Sequence, residues 1–212
     1  MSEKLKDMSI AAFVDLTASD APAPGGGSVS ALFGALSAAL TGMVAGLTVG
    51  KKKYVEVEAE MREVAAAAEA LKKELVEEID RDSESFNEFM AAMALPKNTD
   101  EEKAARKAAM QNGLKSAAKV PCHVAETAAK IFPLAKTVVE RGNTNAVTDG
   151  LVAAMAARTA VIGAGLNVKI NLASIEDEDF VAEYSARVAA LEEQAIAAER
   201  EIFALSELTR EI

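Results

Sequence analysis

Apolar residues recur along this chain with helical rather than strand spacing, and the longest apolar block is also the least charged. Residues 28–50 hold no charged side chain. Within them Phe33, Leu36, Leu40, Met43 and Leu47 alternate at spacings of three and four, which makes one seam of large side chains. Ser30, Gly34, Ala38, Gly42 and Gly46 recur every four residues and are expected on roughly the opposite face, where a second backbone can approach closely. Each interior glycine costs a helix about 1 kcal/mol, so close packing is the expected return. The block is long enough to cross a bilayer. Its Ala, Gly, Ser and Thr content, the lack of an aromatic belt and the charged helices that follow favour a buried central helix, covered on both faces as at a bundle centre or subunit interface.

The remaining pattern predicts further helices. Met8, Ala11, Ala12, Phe13 and Leu16 mark a short amphipathic helix over residues 5–17, broken by the Pro/Gly-rich residues 21–28. After Lys51-Lys52-Lys53-Tyr54 a long charged helix runs to about residue 94, where Leu95-Pro96 ends it. Thr99-Asp100-Glu101-Glu102 has the form of a capping box opening the next helix, which reaches residue 119; Val120-Pro121 kinks or restarts it, and it continues to residue 139. Residues 141–145 form a turn. A second small-residue helix covers 146–165; residues 167–172 alternate like a strand but have no partner strand, so a helix end or loop is expected there. Residues 177–212 read as a final amphipathic helix. With no linker or fixed-period repeat, residues 1–212 are expected to form one all-α domain, a helical bundle around the Gly/Ala-rich helix.

Composition narrows the function classes. Half the 212 residues are apolar but only 4% are aromatic, so the core must be filled by Ala, Leu, Val, Ile and Met. A net charge of −10 without a basic stripe argues against nucleic acid and against anionic lipid. A single cysteine (Cys122) and a single histidine (His123) exclude an internal disulfide and the usual Cys- or His-based metal sites, and neither residue is given a role. The charged N-terminal residues are followed by no secretory segment, so a cytoplasmic location is expected.

Candidate chemistry concentrates at a few places. The run Pro22-Ala23-Pro24-Gly25-Gly26-Gly27-Ser28 enters a helix, where free N–H groups and the positive dipole end face any bound group; alternatively it is a loop with Ser28 as N-cap. It lacks the spacing of a Walker A or dinucleotide-binding loop. Lys51, Lys52 and Lys53 sit at the far end of the same helix, either as a solvated cap or reaching an anionic substrate tail across a subunit boundary. The two ends are roughly 30 Å apart, so both serve one site only if a partner helix runs antiparallel. Asp82 and Asp149 are the preferred acid–base candidates, since a carboxylate in apolar surroundings has a raised pKa; Asp149 is equally explained as a helix-start carboxylate. Arg158 stands alone among uncharged residues and needs a partner, Asp149 or a ligand carboxylate.

The Pro-Ala-Pro-Gly-Gly-Gly-Ser entry, the Gly/Ala helix ending in Gly50-Lys51-Lys52-Lys53-Tyr54, Asp82-Ser83 with Phe86, Leu95-Pro96-Lys97, Val120-Pro121, Gly142-Asn143 with Thr148-Asp149, and Asn167-Val168-Lys169-Ile170-Asn171-Leu172 resemble, in order, the cyclodeaminase part of formiminotransferase-cyclodeaminases. The resemblance spans nearly the whole chain; Gly150 departs from it where Ala is expected. It implies an all-α homodimer binding tetrahydrofolate in a cleft at the dimer interface, acting as methenyltetrahydrofolate cyclohydrolase or formiminotetrahydrofolate cyclodeaminase. Both reactions pass through a tetrahedral carbon, need proton transfers and gain from a carboxylate near the substrate cation, with no metal or redox cofactor required. On this reading Asp82 and Asp149 handle protons or the cation, Gly25, Gly26, Gly27, Ser28, Asn143 and Asn145 hold the pterin, and Lys52 or Lys53 meets the glutamate tail. The competing class is a non-enzymatic dimeric helical scaffold, which explains the small-residue ridge but neither the Pro-Gly-Gly-Gly entry nor the Asn-rich turn.

Overall fold

Capping and breaking residues set the element boundaries in the computed structural model, which describes residues 4–209. After a 3-10 turn at Leu5–Asp7, Ser9 accepts from Ala12 N and opens α1 (Ile10–Thr17). Next come α2 (Gly26–Thr48), a 3-10 segment at Lys52–Val57, α3 (Glu58–Met93), α4 (Asp100–Ala129) and α5 (Ile131–Arg141). A 3-10 turn at Thr144–Ala146 then leads into α6 (Val147–Leu172) and α7 (Glu178–Ala204). Both bonds of the capping box between Thr99 and Glu102 are present at the start of α4, and Asp177 caps α7. The described residues contain no strand. The final helix, expected over residues 177–212, ends at Ala204; residues 205–209 are non-helical, and the last three lie outside those described.

Other boundaries differ from expectation as well. Ser28 is not the N-cap of α2; Gly25 is, and Ser28 sits inside the first turn. Residues 167–172 are helical and complete α6, because an alternating hexapeptide without a neighbouring strand gains nothing by leaving the helix. Pro121 lies within α4 without ending it. A proline inside a helix leaves the carbonyl four residues earlier without a donor, here that of Ala117. Asn171 Nδ2, reaching over from α6, donates to that carbonyl at 2.9 Å and so supplies the missing bond.

Small residues decide how the helices meet. α2 packs chiefly on α3 and α6, and α6 runs antiparallel to it: Ser30 stands against Gly163, Ser37 Oγ donates to Ala153 O, and Thr48 meets Asn143. Ala31, Ala35 and Ala38 join Ala154, Ala157, Ala160 and Ala164 in one buried cluster with Leu75, Ile79, Val124 and Ile131. A Cβ on Gly34 would come within 3.1 Å of Leu75 and 3.5 Å of Ala160, so glycine there permits the approach.

The every-four ridge is only half realised. Ser30, Gly34 and Ala38 are buried, Gly42 is partly covered and Gly46 is exposed with nothing close to it. A step of four residues advances about 40° beyond a full turn, so the row rotates off the buried face, and Thr41, Val44, Ala45 and Thr48 replace it. Within one chain α2 is covered on one face alone. The large seam stays exposed, with Phe33 at 40%, Leu36 at 50%, Met43 at 42% and Leu47 at 44% of full exposure. α6 carries a second exposed apolar row that includes Val152, Met155, Leu166 and Ile170. By length and composition α2 and the stretch Thr144–Leu172 could each cross a membrane; in this fold they form the centre of the bundle.

The Pro121–Asn171 contact is testable by equilibrium denaturation. Asn171→Ala should destabilise the fold by about 1–3 kcal/mol through an unpaired carbonyl. Adding Pro121→Ala, which restores the backbone donor, should recover much of that loss. Additive effects in the double variant would contradict the account.

Candidate active site

At the start of α2 the sequence places three glycines and a serine, and the fold sets Asp82 of α3 directly on them. A Cβ built on Gly27 would lie 2.0 Å from Asp82 Oδ1, so the carboxylate occupies the volume that any side chain there would need. Ser28 holds it: its N–H donates to Asp82 Oδ2 at 2.8 Å. Its hydroxyl lies 3.0 Å from both Oδ2 and the Ile79 carbonyl, sharing one proton between them. Ser83 Oγ stands 3.3 Å from the same hydroxyl. Ser28 is fully buried and Asp82 half-buried. Burial raises the Asp82 pKa above the ordinary aspartate value, and the two Ser28 bonds pull it part of the way back. Among the described residues Oδ1 accepts no hydrogen bond, which leaves one carboxylate oxygen available for a proton.

Asn167, in the last turns of α6, flanks the same turn, its Nδ2 lying 3.0 Å from where a Gly26 Cβ would be. It was visible in the sequence only as part of a motif with no role attached. The usable signal was a pair of asparagines, Asn167 and Asn171, spaced four apart in a helix rich in apolar residues.

A second polar group forms at the opposite end of α2. Lys51, Lys52, Lys53, Tyr54, Asn143, Thr144 and Asn145 line a shallow cleft. Asn143 closes the end of α2, donating its N–H to Thr48 Oγ1 and its Nδ2 to Leu47 O, while its Oδ1 accepts from Asn145 N. Its side chain therefore has a structural task, with one amide proton to spare. Tyr54 OH accepts from Thr144 N at 3.0 Å, a pairing the sequence did not signal, and contact with Thr144 lowers the phenol pKa. Lys53 Nζ sits 5.2 Å over the Tyr54 ring. Lys51, Lys52 and Lys53 make no ion pair among the described residues.

The predicted site residues thus fall into two groups. Gly25, Gly26, Gly27, Ser28 and Asp82 come together; Lys52, Lys53, Asn143 and Asn145 come together elsewhere. Asp149, half-buried in the first turn of α6, belongs to the second end. With 23 residues in α2, the groups are separated by roughly 35 Å along its axis. Asp82 and Asp149 of one chain therefore cannot act on one small molecule. Arg158 is paired with Glu199 of α7 at 3.3 Å, not with Asp149. Cys122 is buried and its thiol pushed up to about 11, chiefly by burial. His123 is half-exposed and pairs with Glu74 at 2.9 Å.

A family model described as formiminotransferase-cyclodeaminase matches residues 9–190. The chain belongs to that family. It is 45% identical over 174 residues to the methenyltetrahydrofolate cyclohydrolase of Methylorubrum extorquens, covering 82% of this chain and 84% of that protein. It is 37% identical to the formimidoyltransferase-cyclodeaminase of Rattus norvegicus over 91% of this chain, but spans only 36% of that longer relative. The crystal structure of formiminotetrahydrofolate cyclodeaminase from Thermotoga maritima superimposes with a TM-score of 0.85 at 31% identity, covering 95% of this chain and 97% of that one.

The contact between Gly27 and Asp82 makes a sharp prediction. Gly27→Ala must displace the carboxylate and break the Ser28 bonds, lowering stability by about 1–3 kcal/mol. Gly25→Ala, whose Cβ would meet nothing closer than Pro22 O at 3.9 Å, should be nearly neutral. Equal denaturation midpoints for the two variants would contradict this geometry.

Proposed function

We propose that this chain is a folate one-carbon enzyme that hydrolyses 5,10-methenyltetrahydrofolate to 10-formyltetrahydrofolate, with Asp82 as its acid–base residue. The observation that carries the reading is the half-buried Asp82 carboxylate, seated on Gly27 and held by Ser28 with Oδ1 left free. It occurs in a chain 45% identical to a free-standing methenyltetrahydrofolate cyclohydrolase. The substrate carries an amidinium cation across two nitrogens. The Asp82 carboxylate stabilises that cation and takes a proton from the water that adds to the bridging carbon. The resulting neutral acid returns the proton to the departing ring nitrogen as its bond to carbon breaks, and the hydroxyl proton of the adduct leaves to solvent as the formyl group forms. One water is consumed and one proton released. The protein supplies no cofactor in this scheme.

The likeness to the Thermotoga maritima structure favours formiminotetrahydrofolate cyclodeaminase as the second reading. Ring closure with loss of ammonia makes the same demands on Asp82.

The separation of the two polar groups is resolved by a homodimer. The exposed seam of Phe33, Leu36, Met43 and Leu47 offers an apolar face for an antiparallel two-fold contact. Such a contact brings the Asp82 end of one α2 beside the Lys51, Lys52 and Lys53 end of its partner. Gly25, Gly26, Gly27 and Ser28 then hold the pterin. Lys52 or Lys53 with Asn145 meets the glutamate tail, and Asp149 and Asn143 border the same cleft from the other subunit. We assign the enzyme to the cytoplasm.

Loss of methenyltetrahydrofolate absorbance, with buffer hydrolysis subtracted, tests the reaction directly. Asp82→Asn should lower kcat by about 10²–10⁴-fold without altering the fold. Because the carboxylate form acts as base and burial raises its pKa, kcat/KM should fall at acid pH through an inflection above the ordinary aspartate value. Unimpaired turnover in Asp82→Asn would remove this residue from the mechanism; no acceleration by the native protein, together with no ammonia release from formiminotetrahydrofolate, would overturn the enzyme reading. Leu36→Glu should give a folded monomer by light scattering, with activity lost; a fully active monomer would contradict the shared site.

A further inference from the structure

The packing around Gly26 singles out a residue that the scheme above leaves unused. Gly163 of α6 has no side chain, and a Cβ there would lie 2.5 Å from Ser30 Oγ. That absence seats the first turn of α2 on α6, with Ser30 Oγ donating to Gly26 O at 2.6 Å. One helical turn beyond Gly163, Asn167 is thereby brought against Gly26, where a Cβ would meet its Nδ2 at 3.0 Å and its Oδ1 at 3.5 Å. Asp82 fills the equivalent space at Gly27, and adjacent Cα atoms are about 3.8 Å apart. The Asn167 carboxamide and the Asp82 carboxylate therefore flank neighbouring residues of one turn.

The two asparagines of α6 differ in what they leave free. Asn171 Nδ2 donates to both Ala117 O and Asn167 O, so both its amide protons are occupied within the protein. Asn167 Nδ2 makes one bond, to Gly163 O at 2.9 Å. Among the described residues its Oδ1 accepts none, and its second amide proton has no partner. A carboxamide with a free acceptor beside a free donor matches the edge of a ring in which a carbonyl adjoins an N–H. The pterin ring of folate has such an edge; the aminobenzoyl-glutamate portion, aromatic and then anionic, does not present one in a ring.

We propose that Asn167 is a substrate-binding residue that hydrogen-bonds the pterin ring and orients its bridging carbon toward Asp82. This rests on the folate reading above. The experiment compares binding of two substrate fragments, 6-methyltetrahydropterin and 4-aminobenzoylglutamate, to the native protein, Asn167→Ala and Asn167→Leu, alongside melting temperature and methenyltetrahydrofolate kinetics. Leu keeps the bulk of the side chain, so at least one variant reports if the other fails to fold. Pterin affinity should fall about tenfold, as for one lost hydrogen bond, with aminobenzoylglutamate affinity unchanged and KM for methenyltetrahydrofolate raised. Unchanged pterin affinity in a folded variant, or an equal loss for both fragments, would overturn the role of Asn167 while native turnover keeps the folate reading intact. A native protein that neither binds the pterin nor turns over either folate would overturn the folate reading itself, and this role with it.

Discussion

A carboxylate placed directly over a backbone Cα ties α3 to the start of α2. Asp82 reaches the start of α2 because Gly27 has no side chain, and it stays there because Ser28 offers both its N–H and its hydroxyl. The same turn is seated on α6 by the absence of a side chain at Gly163. Displacing these contacts would shift α2 against α3 and α6, so the local geometry of the proposed acid–base group and the packing of the central bundle are one problem. The penalty of half-burying a carboxylate is reduced by the two serine bonds rather than removed, so the Asp82 pKa stays above the ordinary aspartate value.

The centre of the bundle is built from alanines, not from large side chains. Alanine loses no side-chain entropy on folding and lets backbones approach closely. With so few aromatic residues, α2 and α6 gain their cohesion from proximity along their length, and the larger residues Leu75, Ile79, Val124 and Ile131 close the layer around them. The large residues of α2 face outward instead. An inward small face and an outward large face leave α2 packed on its own chain on one side and apolar and exposed on the other, the side the proposed homodimer uses.

Helix content, the helix breaks and the grouping of Gly25, Gly26, Gly27 and Ser28 at a helix start were legible from the sequence because periodicity, glycine, proline and capping residues act locally. The choice of Asp82 among many carboxylates rested on its position where a charged helix turns apolar, and the fold places it on the glycine turn. The separation of Asp82 from Asp149 depends on α2 and α6 running antiparallel, a relation of distant residues that spacing alone does not express. That α4 runs through Pro121 without restarting is hidden for a similar reason: the donor that satisfies the Ala117 carbonyl comes from Asn171, far along the chain. The buried small-residue ridge is shorter than the four-residue spacing implies, because a four-residue step outruns the helical turn.

The central claim is that Asp82 is held at a raised pKa by burial and moderated by Ser28, and the most direct measurement is its titration by carboxyl-carbon NMR in the native protein and in Ser28→Ala. The account predicts a native pKa above the ordinary aspartate value and a further rise once the serine hydroxyl is removed, since that bond favours the ionised form. A native value at or below the ordinary one, or no change in Ser28→Ala, would contradict it.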